Sequence, residues 1–165
     1  MRDSTVVFLC DRSTLALMSH QLPLPPLLSR QHASSAILER DGRLLLIRRR
    51  NPPAADLFAF PGGRAEPGET PAETALREFK EETGITACEP ILFATYDLKT
   101  EAKDGEIKSH FFLSVFTVKA DASSEAIAAD DAADQGWYTL EQIRGLPVPA
   151  SVLDCVNKLA ALAKT

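Results

Sequence analysis

Phe60-Pro61-Gly62-Gly63-Arg64-Ala65-Glu66-Pro67-Gly68-Glu69-Thr70 runs into Pro71-Ala72-Glu73-Thr74-Ala75-Leu76-Arg77-Glu78-Phe79-Lys80-Glu81-Glu82-Thr83-Gly84-Ile85. The first half is a glycine-rich loop and the second half predicts a helix. Thr70 offers an N-cap hydroxyl, Pro71 occupies the first helical position, Glu73 stands three residues after the cap, and Gly84 supplies the stop. Ala72, Ala75, Leu76 and Phe79 then gather on one apolar stripe, the face expected to lie on a core.

Glu78, Glu81 and Glu82 form a second stripe at spacing i, i+3, i+4, where like charges repel and weaken a helix by a few tenths of a kcal/mol per pair. Arg77, four residues before Glu81, relieves only part of this. A lone run of this kind is most often a solvated face. Three carboxylates converging from one rigid element beside the Gly62-Gly63 backbone instead suit a hard divalent cation with oxygen ligands.

The complete spacing is Gly63-x5-Glu69-x7-Arg77-Glu78-Phe79-x-Glu81-Glu82-x-Gly84-Ile85. It resembles the signature box of the Nudix hydrolases at every defined position, with looser resemblance from about Gln31 to the C-terminus. The resemblance implies an α/β (α+β) fold, a mixed β-sheet sandwiched between α-helices, with the box beside the cleft. It further implies metal-dependent hydrolysis of the pyrophosphate in a nucleoside diphosphate linked to another moiety, with Mg2+ as cofactor and Mn2+ as a substitute. Carried over by position, Glu78, Glu81 and Glu82 hold metal, helped by a carbonyl of Gly62 or Gly63, and Glu69 supports the loop or coordinates through water. Arg77 orients the acids. The general base is Glu78 or an acid from the 125–134 loop, with Asp131 the first choice by its spacing before Trp137.

Outward from the box, the 165 residues suit one domain, expected over 31–165 and preceded by an appendage over 1–30 that Pro23, Pro25 and Pro26 break into an extended strip. The formal net charge of −5 argues against a dedicated nucleic-acid surface. Cys10, Cys88 and Cys155 show no paired spacing, which fits a reducing cytoplasm. Thr5 to Cys10, the apolar run near the N-terminus, is too short to span a membrane. The expected partner is a small-molecule nucleotide, with neither nucleic acid nor membrane; the resemblance leaves a homodimer open.

Ser34–Glu39 and Arg43–Ile47 read as strands joined at Asp41-Gly42, a hairpin signal. The second runs into Arg48-Arg49-Arg50, at most two of which share a strand face; they read as a charged strand end or as forks for substrate phosphate. Leu57–Phe60 is a short strand entering the box, and Phe60 and His110 are further substrate-side candidates. For a lone histidine at that strand mouth, a structural hydrogen bond is the more frequent role. Pro90–Asp97, Lys108–Lys119 and Gly136–Thr139 read as strands, and Thr139 opens a short helix. Ser151–Ala163 reads as an amphipathic helix with Val152, Cys155, Val156, Leu159 and Leu162 on one face.

Arg49-Arg50-Asn51-Pro52-Pro53, His110 and Asp130-Asp131-Ala132 look like the ADP-ribose pyrophosphatase branch. The alternative is the branch that hydrolyses oxidised nucleoside triphosphates such as 8-oxo-dGTP, whose base-reading asparagine is replaced here by Ser151. A non-catalytic nucleotide-sensing module is the third reading, and the intact set of box acids speaks against it.

Overall fold

The computed structural model describes residues 30–49, 56–101, 103, 105, 107–121 and 132–164, with the side chains of 132–134 excepted. The elements in chain order are β1 (Gln31–Arg40), β2 (Arg43–Arg49), β3 (Phe58–Ala59), β4 (Gly62–Arg64), α1 (Pro71–Thr83), β5 (Ala87–Glu101), β6 (Ile107–Ala120), β7 (Ala132–Thr139), α2 (Leu140–Arg144) and α3 (Ala150–Leu162). The expected appendage, apart from Arg30, lies outside the described residues.

The strands form one mixed sheet. β1 and β2 make an antiparallel hairpin at Asp41 and Gly42, both at positive φ as a tight two-residue turn requires. β1 then pairs in parallel with β6, and β6 pairs antiparallel with β5, so the N-terminal hairpin and the later strands become one surface. β7 closes on the other side of β2 over the full length of that strand.

Helices cover both faces. Ala36, Leu38, Leu45, Phe116 and Val118 point to α1, whose Ala75 and Phe79 complete that layer. Ile37, Leu44, Leu46 and Val115 point the opposite way, to Ile143 of α2 and to Val152, Cys155 and Val156 of α3. Because β2 is covered on both sides, Leu44-Leu45-Leu46-Ile47 is a continuous apolar run rather than an alternating one. Complete burial of Phe79 alone stabilises by about 1.5–3 kcal/mol. Leu162, expected on the core face of α3, is instead 65% exposed in the last turn.

Two local devices position the site. The capping box of α1 forms as the sequence indicates: Glu73 N–H donates to Thr70 Oγ1 and Thr70 N–H donates to Glu73 Oε2, while Gly84 stops the helix at φ 73°. Tyr96 O–H donates to Asp154 Oδ2 at 2.6 Å, tying β5 to the first turns of α3. No helix among the described residues is long and apolar enough to cross a membrane.

Candidate active site

The glycine stretch of the box is a strand rather than a loop. β4 pairs antiparallel with β1, Gly62 opposite Ser35 and Gly63 opposite Ser34, and α1 runs back along it. Gly62 N–H donates to Glu82 Oε2 at 2.8 Å. Three residues of β4 thus contact three residues of α1, since the Glu78 carboxylate lies against Gly63 and Arg77 Nη2 donates to the Arg64 carbonyl at 3.0 Å.

Both glycines are required by close approach, for different reasons. A Cβ on Gly63 would lie 2.5 Å from each Glu78 carboxylate oxygen, whereas one on Gly62 would strike the Ser34 carbonyl and lie 2.6 Å from Ser35 Cα. The first obstacle is the end of a flexible side chain and the second is backbone. Gly63→Ala should therefore keep a cooperative melt near that of the parent while turnover falls about 10²-fold through a displaced Glu78. Gly62→Ala should lower the melting temperature, with a cost of about 1–3 kcal/mol. Thermal unfolding beside steady-state rates checks both, and equal effects of the two substitutions would contradict this assignment.

Arg77 uses all five of its N–H donors. Nε donates to Glu69 Oε1 at 2.6 Å, and Nη2 to Glu69 Oε2 at 2.9 Å as well as to the Arg64 carbonyl; Nη1 donates to Glu78 Oε1 at 2.8 Å and to Glu81 Oε2 at 3.3 Å. Glu69 also accepts from Thr74 Oγ1 and from Glu66 N–H. These bonds, that from Arg77 foremost, hold its carboxyl far below the ordinary range, at about 2. Glu82 goes the other way. Burial raises it to about 7, against the Gly62 N–H and the Arg49 charge, and Glu78 and Glu81 add repulsion.

Among the described residues, no three acidic, histidine or cysteine side chains are already gathered closely enough to hold a metal ion. Glu78 and Glu81 are turned onto Arg77, and Glu82 onto Gly62. The donors nevertheless fit a hard divalent cation. They are carboxylates on one helical stripe over a backbone strand, and the half-buried, charge-repelled Glu82 is a group whose ionised form a cation would favour.

β4 also floors a cleft of about 240 Å³ that opens on the α3 side of the sheet. Phe60 and Arg49 line it, and the Arg49 Nε is buried with no hydrogen-bond partner among the described residues. Arg48, on the other strand face, is paired with exposed Asp56 at 3.1 Å and does not reach the cleft. His110 does not reach it either, because its Nε2 bonds Asp97 Oδ1 on the opposite face of β6. Its neighbour Phe111 lines the cleft instead, together with Arg64, Leu98, Leu113 and Ser151. Arg50 and Asp131 lie outside the described residues.

A family model for the NUDIX domain matches residues 28–154. The chain belongs to the Nudix family. It is 35% identical over 111 residues to the ADP-ribose pyrophosphatase of Methanocaldococcus jannaschii, a match covering 67% of this chain and 63% of that protein. It is also 44% identical over 57 residues to a putative 8-oxo-dGTP diphosphatase of Bacillus subtilis, covering 34% of this chain and 36% of the relative. The crystal structure of a MutT Nudix hydrolase from Burkholderia pseudomallei superposes with a TM-score of 0.65 at 28% identity, covering 78% of this chain and 96% of that one. Nudix hydrolases generally use divalent metal cations, in keeping with the donor set on α1.

Proposed function

We propose that this Nudix chain is a Mg2+-dependent hydrolase of ADP-ribose or a related ADP-sugar, releasing AMP and a sugar phosphate, with Mn2+ able to substitute. The observation that carries the reading is the double role of β4: one side meets Glu78 and Glu82, and the other floors a cleft that receives Arg49. A pyrophosphate laid across that strand has carboxylates at one edge and an unsatisfied guanidinium N–H at the other. Arginine forks suit such oxygens, and of the two described arginines of the cluster Arg49 lines the cleft while Arg48 pairs with Asp56, which supports Arg49 in that role.

Glu78, Glu81 and Glu82, with a carbonyl of Gly62 or Gly63, would hold the cations. When bound, these offset charge on the phosphate oxygens and lower the pKa of the attacking water. Water forms the new P–O bond as the anhydride P–O bond breaks, and its proton passes to a general base, Glu78 or Asp131. Glu69, its oxygens taken by four donors, supports the loop. Arg77 holds Glu69, Glu78 and Glu81 in place.

The relatives carry different activities in their names, so the substrate needs its own test. ADP-ribose should exceed 8-oxo-dGTP in kcat/KM at equal Mg2+, with AMP and ribose 5-phosphate as products. A tenfold preference for the triphosphate with release of pyrophosphate, about 1.4 kcal/mol in transition-state binding, would overturn the ADP-sugar reading and favour the alternative.

A further inference from the structure

We propose that Arg64 and Phe111 form a jaw that grips the substrate's nucleobase by its ring faces, in a cleft that does not read which base it holds. The inference rests on the nucleotide reading of the site above. The Arg64 guanidinium carbon lies over the Phe111 ring, 5.4 Å from its centre, and both residues line the cleft. Main chain and side chain of Arg64 have separate duties: its carbonyl is fixed by Arg77 Nη2, while its exposed side chain is left to the cleft. Arginine planes and aromatic rings both offer stacking surfaces to any base. A ring sliding between them needs the guanidinium to lift by about 2 Å, given plane spacings of roughly 3.5 Å, which an exposed arginine can do by changing rotamer.

The lining explains why the grip is indifferent to base identity. Leu98 and Leu113 flank Phe111 on the same face of the sheet, so the wall is apolar. Among the described lining residues there is no Asn, Gln, Asp, Glu or His; the polar side chains are Arg49, Arg64 and three serines. Ser34 and Ser35 are buried on β1, and a serine hydroxyl both donates and accepts, so Ser151 tolerates either kind of base edge. Strong discrimination requires fixed polar partners that a wrong base would leave unpaired, whereas apolar walls separate similar rings only weakly. The volume agrees: about 240 Å³ lies below the roughly 300–1,000 Å³ that encloses a whole drug-sized ligand, so the cleft holds only part of a nucleotide, with the base at the Phe111 wall and the phosphates at the β4 floor beside Arg49.

Calorimetric titration of the full chain in Mg2+ with AMP, GMP, CMP and ribose 5-phosphate tests this independently of turnover. The three nucleotides should bind within about tenfold of one another, and ribose 5-phosphate at least tenfold more weakly than each. Phe111→Ala should weaken all three nucleotides by about ten- to hundredfold and leave ribose 5-phosphate unchanged, and Arg64→Ala should do the same by about three- to thirtyfold. Phe111→Leu keeps most of the apolar volume but not the π-face, so it should show the same selective loss if the alanine variant fails to fold. A spread above a hundredfold among the nucleotides would overturn the proposal. So would equal binding of AMP and ribose 5-phosphate, variants that weaken both alike, or no nucleotide binding at millimolar concentration. If the pattern holds while ADP-ribose is not hydrolysed, the jaw stands and the substrate reading of the preceding section falls.

Discussion

Glu82→Gln should reduce kcat/KM by about 10³-fold or more, at least ~4 kcal/mol of transition-state stabilisation, while leaving the fold at least as stable. The two halves of the expectation come from one geometry. Glutamine can still accept the Gly62 N–H that Glu82 Oε2 accepts at 2.8 Å, so the joint between α1 and β4 survives. It cannot supply the negative oxygen that a hard cation requires. Burial is the main cause of the raised Glu82 carboxyl, which titrates at about 7. Relative to an ordinary carboxyl, its contribution to stability is complete below about 4.5 and is lost as pH rises through about 7. In EDTA, the melting temperature of the parent should therefore fall across that window more than that of the variant. Near-parental rates for Glu82→Gln over a range of Mg2+ concentrations would remove Glu82 from the metal-binding set, and a lower melting temperature at pH 8 would contradict the burial account.

What the sequence made legible is what depends on near neighbours. The start and stop of α1 need only Thr70, Pro71, Glu73 and Gly84, all within reach of one helix, and they stand as expected. The hairpin at Asp41-Gly42 is likewise local. The glycine stretch was not legible as a strand, because nothing in Gly62-Gly63-Arg64 favours extended backbone; its pairing depends on Ala33–Ser35, some thirty residues earlier. For the same reason β7 begins at Ala132 rather than at Gly136, since β2 pairs with it along its whole length.

The cleft was harder still. On a strand, one residue decides the face, and His110-Phe111-Phe112-Leu113 shows no polar alternation to mark which side is which. His110 is the substrate-side candidate the sequence offers on this strand, with a structural hydrogen bond as its more frequent role; it makes such a bond to Asp97, and the side chain in the cleft is Phe111. Arg64 carried no signal either, because the box leaves its position undefined. Ser151 stood out only as the place where an asparagine is missing, and it does line the cleft.

Replacing Arg77 should damage activity and stability together, unlike replacing Glu82. All five N–H groups of its guanidinium are engaged, and they link the box loop at Glu69 and Arg64 with Glu78 and Glu81 on the helix. Arg77→Ala leaves three carboxylates without their shared cation and frees the Arg64 carbonyl. The melting temperature should fall by several degrees, and turnover by about 10²-fold or more as Glu78 leaves its position. Arg77→Lys separates charge from shape. A lysine ammonium restores the positive charge but cannot form the paired bonds to Glu69 while also reaching Arg64 and Glu78. It should recover most of the lost melting temperature and little of the lost kcat. Because Arg77 reaches the base site only through the Arg64 carbonyl, the affinity of the Ala and Lys variants for AMP in EDTA should fall by no more than that of Arg64→Ala. Full recovery of kcat in Arg77→Lys would reduce the role of Arg77 to charge alone. A loss of metal-free AMP binding larger than that of Arg64→Ala would place it in contact with substrate.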